Sequence, residues 1–322
     1  MEISKNNNNQ GITKTKVDTE GAVNPTAEFS LFDLLVRLIV ALLAGVIGYN
    51  LRLFIPLTRR GFFCHDFSIR FPYYDSTIAS NTIFYVSIPI LVILVLIGEF
   101  LLNKPRDPMN SEFWDFDVLL WKALQFGGFT TVWMLGVGIN FFLFNVIKIS
   151  VGRLRPNFIS LCQPYTDITN SDKCLNETPN YFFPGDLFKC NKTNIDSPRI
   201  IDARCSFYSG HSALSIYFAV FIIFYTHIRV FSKSFGSFAA PILPILIVIY
   251  SIIISLGSFV AVSRIFDHKH HPSDVAVGFC VGTITAILSV FFHRNFFFSA
   301  REMNKSVENS NIEIKVSISE NT

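Results

Sequence analysis

Three short polar clusters interrupt this apolar chain, and each holds residue types that phosphate chemistry requires. Lys148 is followed by Arg155-Pro156; Tyr208-Ser209-Gly210-His211 forms the second cluster; Ser263-Arg264, with His270 and Asp274 downstream, forms the third. A phosphate monoester is a dianion. Hydrolysing it without metal calls for several cations, neutral donors, a nucleophile and an acid for the departing alkoxide. Lys148, Arg155 and Arg264 offer three positive charges, and each guanidinium fork matches a pair of phosphate oxygens, giving orientation as well as charge. Ser209 offers a hydroxyl, and Gly210 a backbone amide open to close approach. A helix beginning near His211 would aim its first-turn amides and dipole at the anion. His270 and Asp274 are four apart. On a first helical turn that spacing puts both on one face, where the carboxylate can hold the ring by one nitrogen and leave the other basic and aimed. His270 is then the nucleophile, and His211 the acid that protonates the leaving oxygen and later helps activate water.

The elements that must position these residues are membrane helices. Of 322 residues half are hydrophobic, 35 are Phe and only 16% are charged. Several apolar stretches of about 20 residues are long enough to cross a hydrocarbon core. Six spans are expected, near Leu34–Phe54, Ile83–Leu102, Phe126–Val146, Ser212–Val230, Ala239–Phe259 and Val275–Phe292. Lipid leaves backbone amides no outside partner, so each is a helix, and the fold class is an all-α six-transmembrane-helix bundle. The shorter alternating segments of a barrel are not seen. Pro89, Pro241 and Pro244 are expected to kink their helices or, for the latter pair, to sit in a first turn. Residues 1–30 read as a disordered cytosolic tail, 31–295 as the membrane domain and 296–322 as a second cytosolic tail. A net charge of +3 is too small to point to nucleic acid.

Six spans place both termini on one side. The clusters end span three, open span four and join spans five and six, so counting alone brings all three to one membrane face. The long loop 149–209 carries the sequons at Asn176 and Asn191 and the cysteines Cys162, Cys174, Cys190 and Cys205, which suit an oxidising compartment. The clusters are therefore expected on the extracellular or lumenal side, with the plasma membrane as the expected location and an internal membrane as the alternative. Cys64 makes five cysteines on that side, for which two disulfides and one thiol is the simplest reading, with connectivity open. Cys280 is expected in the core of span six. Glu99 and Arg37 are expected to snorkel or to pair with each other.

Together the clusters resemble the three-part signature of the type 2 phosphatidic acid phosphatase superfamily, and most closely its lipid phosphate phosphatase branch. The resemblance covers roughly residues 31–295 and includes Arg60-Gly61-Phe62-Phe63-Cys64, Ser68-Ile69-Arg70-Phe71-Pro72, Phe207 to Ser212, and His270-His271 before Ser273-Asp274. Tyr208 stands where the broader superfamily usually has Pro and the lipid branch commonly Tyr. Two departures are Pro272, where the branch often has Trp, and a longer loop between the first two clusters. The resemblance implies a phosphohistidine on His270 partnered by Asp274, His211 as acid, and phosphate binding by Lys148, Arg155 and Arg264. It implies no cofactor, a phosphorylated lipid as substrate (phosphatidic acid, lysophosphatidic acid, sphingosine 1-phosphate or ceramide 1-phosphate) and assembly into dimers or larger oligomers.

Other readings have weaker support. Lys148 and Arg155 alone would pass for interfacial anchors. His268, His270, His271 and Asp274 together could form a metal site. A headgroup transferase of the sphingomyelin synthase type also uses two histidines and an aspartate, but three cations favour a terminal phosphate and hydrolysis. A silent scaffold would be expected to lose members of the set, and a transporter to carry repeats and mid-bilayer charges.

Overall fold

Helix α1 (Leu31–Asn50) begins at a capping box, in which Ser30 Oγ accepts from Asp33 N at 3.1 Å and Ser30 N donates to the Asp33 carboxylate at 3.4 Å. In this computed structural model, residues 30–102, 116–165, 182–190, 198–231 and 239–297 are described. The remaining long helices are α2 (Ser80–Leu96), α3 (Phe116–Val151), α6 (Gly210–Tyr225), α7 (Ala239–Phe266) and α8 (Pro272–Phe292). Short helices α4 (Phe158–Cys162), α5 (Pro198–Ala203) and α9 (Arg294–Phe297) lie between or after them. Six helices have the length and apolar composition to cross a bilayer, and the chain is an integral multi-pass membrane protein.

The six elements match the apolar runs, but their ends differ. Helix α3 has 36 residues, about 54 Å at 1.5 Å per residue, well beyond its apolar window. Helix α7 runs past the expected Phe259 to Phe266 and so carries Arg264 on its last turn. Hydropathy marks what lipid touches, whereas the helical hydrogen-bond ladder continues until something stops it. Gly152 stops α3: at φ +58° its N–H closes on the Lys148 carbonyl at 3.1 Å, and a Cβ there would strike the Thr58 carbonyl. The helix thus ends at a turn four residues after Lys148. Pro89 lies inside α2; Pro241 sits in the first turn of α7, while Pro244 lies inside it.

Close approach of α6 and α8 brings the second and third clusters together. Gly278 and Gly282, four apart on α8, face α6; a Cβ on Gly278 would fall 2.5 Å from the Ser209 carbonyl, and one on Gly282 would strike the Ala213 carbonyl. Gly278→Val is therefore expected to cost about 1–3 kcal/mol of stability and to spread the two clusters. Thermal denaturation in detergent, together with activity, checks this. The same geometry corrects the expectation for Cys280, which is exposed on α8, opposite the glycine face.

Above the bundle, at the end that carries the clusters, sits a small cap with two antiparallel ladders that hydropathy did not anticipate. β1 (Phe62–Phe63) pairs with β3 (Phe182–Phe183), and β2 (Pro164–Tyr165) pairs with β4 (Lys189–Cys190). Its core packs Phe62, Leu154, Phe158, Phe183 and Phe188, and a Cys162–Cys190 disulfide ties it. Cys64 is also disulfide-bonded, whereas Cys205 is a buried thiol. Asn176, Asn191, Cys174 and most of both tails lie outside the described residues.

At the opposite end, Glu99 is fully buried and pairs with Arg229 at 2.6 Å, not with Arg37, and also accepts from Tyr225 at 3.1 Å. Arg37 lies over the Phe296 ring instead. A buried carboxylate needs a cation with matched geometry, and the π-helical turns Ile97–Leu102 and Thr226–Phe231 present this one.

Candidate active site

Lys148 on the last turn of α3 lies over the Phe144 ring, 5.3 Å from its centre, and that ring packs against Gly210 at the start of α6. Arg155 follows the Gly152 turn and is 7% exposed; its Nη2 pairs with Asp202 at 2.7 Å. Arg264 is 2% exposed. It donates to Asp267 at 3.2 Å, to the Ile78 carbonyl at 3.0 Å and to Ser76 Oγ at 3.2 Å. Asp267 in turn accepts from the N–H and hydroxyl of Thr77 at 2.9 and 2.6 Å. The segment before α2 thus braces Arg264 from the side.

Ser209 is the N-cap of α6, accepting from Ser212 N at 3.3 Å, and its own N–H donates to the Asp274 carbonyl at 3.1 Å. His211 follows in the first turn, where the charges of Arg264, Lys148 and Arg155 act on it. All three clusters therefore meet at one end of the bundle, as counting the spans anticipated. Among the described residues, Nε of Arg155, Nε of Arg264 and Nε2 of His211 are buried and have no hydrogen-bond partner. Buried donors are nearly always paired. Each of these three nitrogens is open to a hydrogen bond with a bound group.

The His270–Asp274 arrangement differs from the expected shared helical face. Helix α8 begins at Pro272 with His271 as its N-cap, so His270 precedes the helix. Asp274 folds back as an N-terminal cap, accepting from His271 N at 3.0 Å. Its Oδ2 lies 3.8 Å from His270 Nδ1, too far for a hydrogen bond. Ser206 Oγ bridges the gap, 2.5 Å from Asp274 Oδ2 and 3.5 Å from His270 Nδ1. Arg153 takes the other carboxylate oxygen at 2.5 Å and also donates to Ser273 at 2.8 Å. Reading the sequence passed over Arg153, Ser206, Asp202 and Asp267. Arg153, inside the first cluster, offered the one usable signal, a third base between Lys148 and Arg155.

Burial, joined by the charges of Arg155 and Lys148, outweighs Asp274 and pushes the His270 pKa down to about 3. The imidazole is therefore uncharged at neutral pH. For stability the sign follows: the unfolded ring, near 6.5, takes up its proton before the folded one. The His270 contribution is whole above about pH 6.5 and is lost as pH falls toward 3. Melting temperature should therefore fall with pH across that window, and less steeply in His270→Gln. Lys269, next in chain, sits 3.8 Å over the Tyr73 ring centre, and burial lowers its pKa to about 8.

The histidine tract does not converge as metal ligands. His268 Nδ1 faces the Pro72 carbonyl at 3.1 Å, His271 Nε2 faces the Leu154 carbonyl at 3.0 Å, and His270 faces Ser206. Among the described residues no three His, Cys, Asp or Glu side chains group as a metal site.

The PAP2 superfamily model matches residues 129–298. Phospholipid phosphatase 2 of Homo sapiens is 32% identical over 292 residues, 90% of this chain and 91% of the relative. Phospholipid phosphatase 2 of Bos taurus is 31% identical with the same coverage. Phospholipid phosphatase 1 of Rattus norvegicus is 31% identical over 77% of this chain and 79% of its own. No solved structure matches. A family model spanning more than half the chain, full-length relatives and a bundle that gathers the three clusters lead to one conclusion: this chain belongs to the PAP2 superfamily and is a phosphatase.

Proposed function

We propose that the protein hydrolyses phosphate monoesters of membrane lipids through a phosphohistidine on His270, without Mg²⁺. One observation carries this reading: a buried, neutral His270 lies within the field of Arg155 and Lys148, and His211 within that of Arg264, Lys148 and Arg155. Lys148, Arg155 and Arg264 bind the phosphate, and the Ser209 hydroxyl and Gly210 amide add neutral donors. Ser209 Oγ spends a lone pair on the Ser212 N–H and keeps its proton to donate. His270 Nε2 attacks phosphorus, the ester P–O bond breaks, and His211, which takes up a proton when the phosphate dianion binds beside it, gives that proton to the departing alkoxide. His211 then takes a proton from water, which attacks phosphorus. The P–N bond breaks, inorganic phosphate leaves, and His270 returns neutral.

The site lies at the plane of the helix ends, where a lipid can keep its tail in the bilayer and lift its headgroup among the cations. Phosphatidic acid, lysophosphatidic acid, sphingosine 1-phosphate and ceramide 1-phosphate all fit that description, and the relatives are named phospholipid phosphatases. The cap disulfide Cys162–Cys190 supports an extracellular or lumenal site, with both termini cytosolic. The deciding assay measures phosphate release by purified protein from this lipid panel in EDTA, with His270→Ala as control. Release abolished by EDTA would overturn the metal-free mechanism, and no release from any lipid would overturn the substrate class. If the alcohol of a second lipid took the phosphoryl group in place of water, labelled product would identify a transferase.

A further inference from the structure

The Asp274 carboxylate is fully buried and already has three donors: Arg153 on Oδ1, and Ser206 Oγ and His271 N on Oδ2. His270 is not among them. Ser206, fully buried, makes contacts that reach both the carboxylate and the ring. We propose that Ser206 and Arg153 are positioning residues for the nucleophile: Ser206 couples the Asp274 carboxylate to Nδ1 of His270, and Arg153 pins that carboxylate. The inference rests on the phosphohistidine reading above.

A serine hydroxyl has one proton. At 2.5 Å from a carboxylate oxygen and 3.5 Å from an imidazole nitrogen, that proton goes to the carboxylate. Toward His270, Ser206 Oγ is then an acceptor, and the ring places its own proton on Nδ1. That tautomer leaves the lone pair on Nε2, the nitrogen on the far side of the ring from Asp274. As Nε2 attacks, positive charge spreads to Nδ1–H, and Ser206 passes the field of Asp274 to it. Arg153 cannot help by charge, since a cation beside Asp274 weakens that field. What it supplies is geometry. It is held by both Asp274 and Ser273 and reaches them from the segment between Gly152 and Arg155. The same short segment thus delivers Arg155 toward the phosphate and Arg153 behind the nucleophile.

The test is single-turnover labelling of full-length detergent-purified protein with ³²P-labelled lysophosphatidic acid, reading separately the rate constant of phosphoenzyme formation and its amplitude. Ser206→Ala is expected to slow formation about thirtyfold, with amplitude near wild type. Arg153→Gln should slow it about tenfold, and Arg153→Lys, which restores a donor, should return to within about threefold. A merely structural role moves the other readout: the amplitude falls with the unfolded fraction, while the surviving enzyme reacts at the wild-type rate. That pattern, or unchanged rates in both Ser206→Ala and Arg153→Gln, overturns the inference. Label retained in His270→Ala would instead overturn the phosphohistidine reading, a distinguishable failure.

Discussion

Replacing His270 with Ala should cut phosphate release from a lipid phosphate by about a thousandfold or more, because loss of a nucleophile removes the reaction path and not merely part of its stabilisation. The ring is 2% exposed and neutral, with Nδ1 facing Ser206 and Asp274, so a single nitrogen is left to attack. Alanine removes that nitrogen and leaves a small cavity beside Asp274, whose carboxylate keeps its bonds to Arg153, Ser206 and His271 N. The fold should survive, because nothing that holds α8 to α6 passes through the ring. KM should change little, since Lys148, Arg155 and Arg264, the proposed phosphate ligands, remain in place. Steady-state release in EDTA with a matched melting curve checks both parts. Turnover near wild type would remove His270 as nucleophile.

Arg155→Ala should lower kcat/KM by roughly 2–4 kcal/mol, the range for losing one charged donor to a developing phosphoryl anion. Arg155 suits this test better than Arg264. Its partner Asp202 has a side chain 52% exposed, so water can take over the freed carboxylate. Arg264 pairs with Asp267, whose side chain is 6% exposed, and removing it strands a buried charge and loosens the Ser76–Ile78 segment. Arg264→Ala should therefore lose activity and stability together, whereas Arg155→Ala should lose activity alone. Arg155→Lys should restore only part of the rate, because an ammonium cannot reproduce a two-pronged fork on two phosphate oxygens. Kinetics over a substrate range, paired with thermal denaturation of each variant, separates the two arginines.

Residue type and order were enough to read the six apolar runs, the helical class and the shared end of the three clusters. Hydropathy is a property of a stretch of chain, and the alternation of spans converts it into sidedness without any knowledge of packing. Lys148, Arg155, His211, Arg264, His270 and Asp274 stood out because cations, imidazoles and a carboxylate are costly beside apolar runs and appear there with repeated chemical sense. What could not be read was which groups touch. Glu99 chose Arg229, 130 positions away, over Arg37; Asp267 reached back 190 positions to Thr77; Ser206 came between His270 and Asp274, although their spacing suggested direct contact. The last of these depends on how closely α6 and α8 approach at Gly278 and Gly282, the others on how the remaining helices pack. They are distances between segments remote in sequence, set by the packing of the whole bundle, and no local window contains them.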